Sequence, residues 1–154
     1  MTTPITIDTT LISAIISAAV AIIVACVTLV WTNRSNRKLE ASKLNNEKKE
    51  ELFSNHQTLM AIIAEINTYN MRSSADILSI ALSLEPKKDE AIRKIKLLTN
   101  MYFHGLDKYY DDLIPQMHIL FWHIRTKGNP GIEEFNSLFE RLNSISEKIL
   151  SLKW

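Results

Sequence analysis

The stretch LISAIISAAVAIIVACVTLVW, residues 11–31, decides how this chain is organised. It contains no charged residue, no Gly and no Pro over 21 residues. At about 1.5 Å per residue, a helix of this length spans the roughly 30 Å hydrocarbon core of a bilayer. The stretch therefore predicts one transmembrane helix. The alternative is a buried core helix, although such helices rarely remain uncharged over this length.

The flanks of the stretch predict its orientation. A cleaved signal peptide has a basic leader and a shorter apolar region, whereas the ten residues MTTPITIDTT carry no Lys or Arg. Arg34, Arg37 and Lys38 follow the stretch at once, and such residues are retained on the cytoplasmic side. We expect residues 1–10 to form a short extracytoplasmic tail and the C-terminal domain to be cytoplasmic, at a bacterial inner membrane. Trp31 and the three basic residues then lie at the membrane interface, where aromatic residues concentrate.

The composition of the remaining chain limits its function. All 18 Lys and Arg residues, and all but one of the 17 Asp and Glu residues, follow Trp31, which gives this part a formal charge of +2. That near balance argues against general nucleic-acid binding, which requires a strong basic excess. Cys26 is the only cysteine in the sequence, so no intramolecular disulfide is available within it.

Small residues recur every four positions within the apolar stretch, at Ser13, Ser17, Ala21 and Ala25. This spacing places them along one side of a helix. In lipid, where helices gain little from the hydrophobic effect, small side chains allow close backbone approach. We therefore predict that they form a helix-association face, which pairs either with another copy of the chain or with a partner membrane protein. The alternative is that Ala and Ser are simply common in membrane anchors.

The sequence after the apolar stretch predicts an all-α protein. Charged and polar residues dominate positions 32–51, where nothing breaks a helix after the first few residues, so we expect a helical stalk. From residue 52 onward, apolar residues recur at intervals of three and four, and no segment alternates as a half-buried strand does. Residues 52–154 are therefore expected to form a cytoplasmic helical bundle. The first stripe of this kind comprises Leu52, His56, Leu59, Ile63, Ile66 and Asn70.

Prolines and glycines predict the boundaries of the later helices. Residues 73–85, capped by Ser73 or Ser74, either continue the first bundle helix or form a separate one. Pro86 and the charged run after it predict a turn before a helix over 89–104, and Pro115 predicts a turn at 107–113 before a helix from Ile114. The last helix, 132–152, has heptad spacing that suits either a bundle core or a seam between copies.

The polar residues show no motif for catalysis or metal binding. His118 and His123 are five residues apart, which places them on different faces of a helix, and His56 and His104 have no acidic partner at a recognisable interval. Asp111 and Asp112 are typical of a helix start rather than of a paired-carboxylate site. The sequence also lacks a GxSxG motif and a glycine-rich phosphate loop. We expect no enzymatic activity, no cofactor and no metal.

Aromatic residues cluster between Tyr102 and Trp122, and Trp154 lies at the C-terminal end of the sequence. Such residues are common both at interfaces and in the cores of small helical domains. The sequence leaves these two alternatives open.

The segment ISAIISAAVAIIVACVTLVWTNRSNRKLEASKLNNEK, residues 12–48, resembles the start of small bacterial proteins found with antiviral systems. Those proteins have one N-terminal span, a basic and polar stalk, and an all-helical cytoplasmic domain. The layout is similar to that of the accessory membrane proteins of type VI-B CRISPR systems, which assemble as ring-like pores and reinforce phage defence. The resemblance implies a membrane effector of antiviral defence. Some of the group carry an Arg followed by a His four to six residues later, but no Arg of this sequence has a His at that offset.

Three functions follow from these observations. The leading hypothesis is a membrane-anchored helical protein that acts by self-association or partner binding. A second is a membrane-tethered RNase-like enzyme that uses Arg125 with His118 or His123, for which His123→Ala is expected to abolish RNA cleavage. A third is a passive tether or regulator.

Overall fold

A computed structural model describes residues 9–70, 74–128 and 130–152, with side chains from residue 12 in the first segment and from residue 76 in the second. The described residues form four helices and no strand: α1 (Thr9–Asn70), α2 (Ser74–Tyr102), α3 (Asp107–Lys127) and α4 (Ile132–Ser151). This confirms the all-α prediction of an N-terminal helix that could span a membrane, a helical stalk and a helical bundle. Most of the predicted tail, together with Ser73 and Trp154, lies outside the described residues.

The chain divides into two units between Lys43 and Leu44. In the first unit, every described side chain from residue 12 to residue 43 is exposed. The predicted apolar stretch and most of the predicted stalk therefore form a helix that packs against no other element of its unit.

The described residues of the second unit, Leu44–Trp154, form an antiparallel four-helix bundle. At one end, the Lys49 ammonium donates to the carbonyl oxygen of Leu152 at 2.9 Å, and at the other end the Asn70 amide donates to the carbonyl oxygen of Pro130 at 3.2 Å. These two contacts show that α1 and α4 run in opposite directions. The Lys49 contact also places a cation at the C-terminal end of α4, where the helix dipole favours it.

Side-chain contacts also give the relative directions of α2, α3 and α4. Arg125 pairs with Glu85, which joins the C-terminal half of α3 to the N-terminal half of α2. His123 lies 3.2 Å from Glu134, which joins the end of α3 to the start of α4. Each of these helices is therefore antiparallel to the next along the chain. Short connections between consecutive helices favour this up-and-down arrangement.

Apolar residues from all four helices form the bundle core. The first buried side chain among the described residues is Leu52, the residue at which the apolar periodicity begins. The predicted stripe on α1 is buried from Leu52 to Ile66, and Asn70 is half-buried where the helix ends. The heptad positions of α4 also face inward, so they are not available as a seam between copies while the bundle is folded. They are Phe135, Leu138, Leu142, Ile145 and Ile149.

The predicted turn at Pro86 is wrong. One helix, α2, runs from Ser74 to Tyr102 with Pro86 inside it, separate from α1. Proline removes the hydrogen bond to the carbonyl four residues earlier, here that of Leu82. Both residues are exposed, so water can solvate the freed carbonyl. A stripe of buried residues on the opposite side continues through the proline and holds the helix to the core. It comprises Ile77, Ala81, Leu84, Lys88, Ala91, Ile95 and Leu98.

The prediction for the start of α3 is wrong for the same reason. The helix begins at Asp107 and includes Pro115, rather than starting near Ile114. Pro115 and Asp111, whose carbonyl loses its partner, are both exposed. Asp107 occupies the first turn that the sequence assigned to Asp111 and Asp112. The helix ends at Gly128, which caps it at φ 86° and whose N–H donates to the carbonyl oxygen of Ile124 at 3.2 Å. That φ favours glycine.

Candidate functional site

The apolar part of α1 is the main candidate site. Among the described residues, α1 alone is long and apolar enough to cross a membrane, and none of its apolar window is buried. Ile15 is 61% exposed and Leu29 is 70% exposed. The alternative of a buried core helix is therefore wrong for this structure. So large a continuous apolar surface is typical of a membrane or protein contact.

Helix geometry defines the association face of α1. At about 100° per residue, the predicted face from Ser13 to Ala25 turns through about 120° around the helix, and Cys26 lies about 160° from its centre. All four residues of the face are exposed. The Thr28 hydroxyl, three residues further along, donates to the carbonyl oxygen of Val24 at 2.8 Å, which satisfies its polar group within the apolar segment. The face is thus free to contact another helix.

The predicted interface residues follow the apolar segment on the same helix. Trp31 is 76% exposed, and Arg34, Arg37 and Lys38 are exposed as well. Trp31, Arg34, Ser35 and Lys38 line a shared shallow depression, of which Arg37 is not part. In the described part of the chain, none of the three basic side chains forms an ion pair with a carboxylate. Their charges are therefore not neutralised by the described residues.

A buried lysine is the most unusual polar feature of the bundle. Lys88 is only 1% exposed, and its Nζ lies 3.2 Å from an Asp89 carboxylate oxygen and 3.8 Å from one of Glu85. The ammonium also lies 4.3 Å from the ring centroid of Phe121, a cation–π distance. A buried charge requires such partners, since desolvation without them is costly.

His118 and Arg125 of α3 complete this group, which we call the Lys88 cluster. The Lys88 Nζ lies 3.5 Å from Nδ1 of His118, and Arg125 pairs with Glu85. Partial burial, together with the nearby Lys88 charge, lowers the pKa of His118 below its usual range. With His118 neutral, the two cations of the cluster are balanced by its two carboxylates. This balance suits a structural link between α2 and α3.

A second buried polar group joins three helices. The ring of His56 on α1 is fully buried; its Nε2–H donates to the carbonyl oxygen of Leu142 on α4, and its Nδ1 accepts from the Tyr110 hydroxyl on α3, both at 2.9 Å. A carbonyl can only accept, which assigns the proton to Nε2. Burial lowers the pKa of His56 below its usual range, and the bond to Leu142 opposes that shift in part.

The structure separates the two histidines of the RNase hypothesis, because only His118 lies in the same cluster as Arg125. His118 and Arg125 face α2 within the Lys88 cluster, whereas His123 faces α4, where its Nδ1 lies 3.2 Å from Glu134. The prediction that the two histidines occupy different faces is confirmed. His104 is exposed at the α2–α3 connection. Over the residues with described positions, no group of three His, Cys, Asp or Glu side chains could hold a metal ion.

The aromatic cluster divides between core and surface. Phe103, Tyr110 and Phe121 are buried, and Trp122 is 55% exposed. Tyr109 is half-buried, with Lys148 of α4 at 4.6 Å from its ring centroid. Most of these residues therefore stabilise the bundle.

Lys88 was not expected among the core residues. Its position follows from the spacing, since Leu84 lies four residues before it and Ala91 three residues after it, and both are buried. The proline and the neighbouring charges at 87–90 obscured that periodicity. The pairing of His56 with Tyr110 joins residues 54 positions apart, and no local pattern could have indicated it.

Comparison with known proteins gives no match: no family model fits the sequence, and neither the curated proteins nor the solved structures include a significant relative.

Proposed function

We propose that this chain is a single-pass membrane protein that acts by association within the bilayer. The observation that carries the proposal is the fully exposed apolar segment of α1, with small residues along one side of it. An apolar surface of this length is unfavourable in water, and a bilayer covers it. Close packing against another helix along Ser13, Ser17, Ala21 and Ala25 then gives dispersion contacts that lipid gives less well.

The apolar segment of α1 is the surface that supports association. The heptad positions of α4 are occupied by the core of their own bundle, which removes them as support for association. The Lys88 cluster and the His56 contacts are also satisfied within the bundle. Association therefore rests on the face of α1, with a second copy of the chain or another spanning helix as the partner.

We also propose where the chain is located and in which process it acts. The basic residues after Trp31, against a leading segment without any, support a cytoplasmic bundle at a bacterial inner membrane. The layout of one span, a basic stalk and a helical bundle supports a role as a membrane effector in antiviral defence. That role rests on the resemblance in layout alone.

The two alternatives, an RNase-like enzyme and a passive tether, differ from association in what they require of the chain. An RNase-like activity would require Arg125 to bind a phosphate, and its ion pair with Glu85 offsets the positive charge that attracts one. A passive tether requires neither association nor catalysis. Loss of a phenotype on replacing the association face, with the bundle unchanged, would distinguish the association hypothesis from the tether.

Cysteine crosslinking in bilayers tests the association face. The native Cys26 lies about 160° from the centre of the face and Ala21 lies within it, so the two positions form a matched pair. We expect Ala21→Cys in a Cys26→Ala background to give disulfide-linked dimers on mild oxidation, and the native chain to give few. Equal crosslinking at both positions would contradict a defined face. A chain that remains monomeric in bilayers and retains no partner on pulldown from native membranes would contradict the proposal itself.

A further inference from the structure

We infer that Trp31, Arg34, Ser35 and Lys38 form a surface of α1 that binds the phosphate of an anionic lipid headgroup. We call it the headgroup face. The inference rests on the proposed function only in requiring that α1 enters a bilayer, and it does not depend on association between copies.

Helix geometry places these four residues on one side of α1. At about 100° per residue they fall within a sector of about 100°. Arg34 and Lys38 are one helical turn apart and about 40° from each other around the helix, and Ser35 lies at the other edge of the sector, beyond Trp31. The shared depression that the four side chains line agrees with this placement.

The charge of the headgroup face is uncompensated. Neither Arg34 nor Lys38 has an ion pair among the described side chains. Glu40 is the nearest acidic residue in the sequence, and it lies about 180° around the helix from Trp31. An arginine and a lysine on one exposed surface, with no carboxylate beside them, attract an anion. Arginine is suited to a phosphate because its planar donors match the oxygen atoms.

The depth of the face along the helix favours a lipid over a soluble anion. Trp31 ends the apolar segment, and at about 1.5 Å per residue Arg34 lies about 4.5 Å and Lys38 about 10.5 Å beyond it. The headgroup layer extends roughly 5–8 Å beyond the hydrocarbon core on each side. Arg34 therefore lies within this layer and Lys38 just beyond its outer edge, from where its long side chain can extend back toward the phosphates.

Arg37 provides an internal control. It lies about 120° around the helix from Trp31, outside the sector of the headgroup face. A general attraction between basic residues and an anionic membrane would involve Arg37 as strongly as its neighbours, since its depth, about 9 Å beyond Trp31, lies between those of Arg34 and Lys38. A defined headgroup face predicts that Arg37 contributes less.

Lipid selectivity of the full-length protein tests the inference. We would reconstitute the chain in phosphatidylcholine bilayers containing phosphatidylglycerol, and measure the association of spin-labelled phosphatidylglycerol relative to spin-labelled phosphatidylcholine. We expect Arg34→Gln and Lys38→Gln each to lower the relative association constant about fivefold, the effect of one basic residue near the surface. Arg37→Gln should change it less than twofold, and Arg34→Lys should retain most of it.

The outcomes distinguish this inference from the proposed function. Equal losses in the three Gln variants would overturn the headgroup face in favour of general charge attraction. An absence of selectivity in a chain that is membrane-embedded and crosslinks through Ala21→Cys would overturn the headgroup face alone. A chain that fails to enter the bilayers would overturn both.

Discussion

His56 is the residue with the most demanding environment in the bundle. It is fully buried, and its two ring nitrogens hold α3 and α4 to α1 through Tyr110 and Leu142. A charged imidazole at this position would lose its hydration, and the Tyr110 hydroxyl would lose its acceptor. The fold therefore requires His56 to remain neutral.

The lowered pKa of His56 predicts a loss of stability in mild acid. The unfolded chain binds a proton at His56 near pH 6.5, the usual value, whereas the folded chain resists it. Stability is therefore fully present above about pH 6.5 and decreases as the pH falls toward the lower folded pKa. Chemical denaturation of the protein in micelles, followed by near-UV circular dichroism between about pH 7 and 5, measures this.

The controls separate His56 from His118, whose lowered pKa acts in the same direction. His118→Gln should retain most of the pH dependence, since this side chain is much less buried than that of His56. The double variant His56→Phe with Tyr110→Phe should lose most of it. A flat profile in the unmodified protein would contradict the assignment.

Substitutions of Lys88 test whether its buried ammonium or its aliphatic stem contributes more to the free energy of unfolding. Lys88→Ala creates a cavity against Phe121 and leaves Asp89 without its cation, whereas Glu85 keeps Arg125, so we expect a loss of about 2–4 kcal/mol. Lys88→Met keeps the stem, and Asp89 is exposed enough to be solvated by water. The Met variant should therefore lose less than half as much free energy of unfolding. Equal losses would show that the charge interactions dominate.

At the scale of the elements, periodicity predicted the helical segments, but it did not predict that the segments on either side of Pro86 form one helix or that α3 begins before Pro115. Pro86 and Pro115 predict turns when considered locally, and both lie within helices. The buried stripe that continues on the opposite side of each helix outweighs the lost hydrogen bond, because the proline and the carbonyl it frees face water. Local propensity is a weak guide where buried residues continue along the helix both before and after the proline.

The candidate sites were predictable to different extents, because some are contiguous in sequence and others join distant positions. The apolar segment, its small-residue face and the basic flank are contiguous in sequence, so composition and spacing are sufficient to propose them. The Lys88 cluster and the His56 contacts join distant positions, and their partners depend on how the helices pack. Lys88 was hidden further because a lysine is almost never fully buried.

Pro86 offers a direct test of the account of α2. In an exposed helix interior, proline is about 3 kcal/mol less favourable than alanine. We expect Pro86→Ala to raise the free energy of unfolding by about 1–3 kcal/mol, as the helix gains a hydrogen bond to Leu82. Urea denaturation in micelles measures the change. A destabilised Pro86→Ala variant would indicate that the proline itself makes a stabilising contact.

At the scale of the whole molecule, stability and association are assigned to different parts of the chain. The bundle core includes the heptad positions of α4, whereas the association face lies on the exposed apolar part of α1. Leu142→Ala should therefore lower the free energy of unfolding of the bundle by about 2–5 kcal/mol. Its association in bilayers, measured under conditions where the bundle stays folded, should be unchanged. A matching loss of association would place the interface on the bundle.

The central claim is that the chain associates through one face of its membrane helix. The most direct measurement is the dissociation constant in bilayers, from energy transfer between labelled copies, for Ala21→Leu and Ala19→Leu. Both variants add the same side chain, but Ala19 lies about 180° from the centre of the face. We predict that Ala21→Leu weakens association at least tenfold, equivalent to about 1.4 kcal/mol, and that Ala19→Leu leaves it within twofold. Equal effects of the two substitutions would contradict the claim. So would an absence of energy transfer above chance, both between copies of the unmodified chain and between it and a copurified membrane partner.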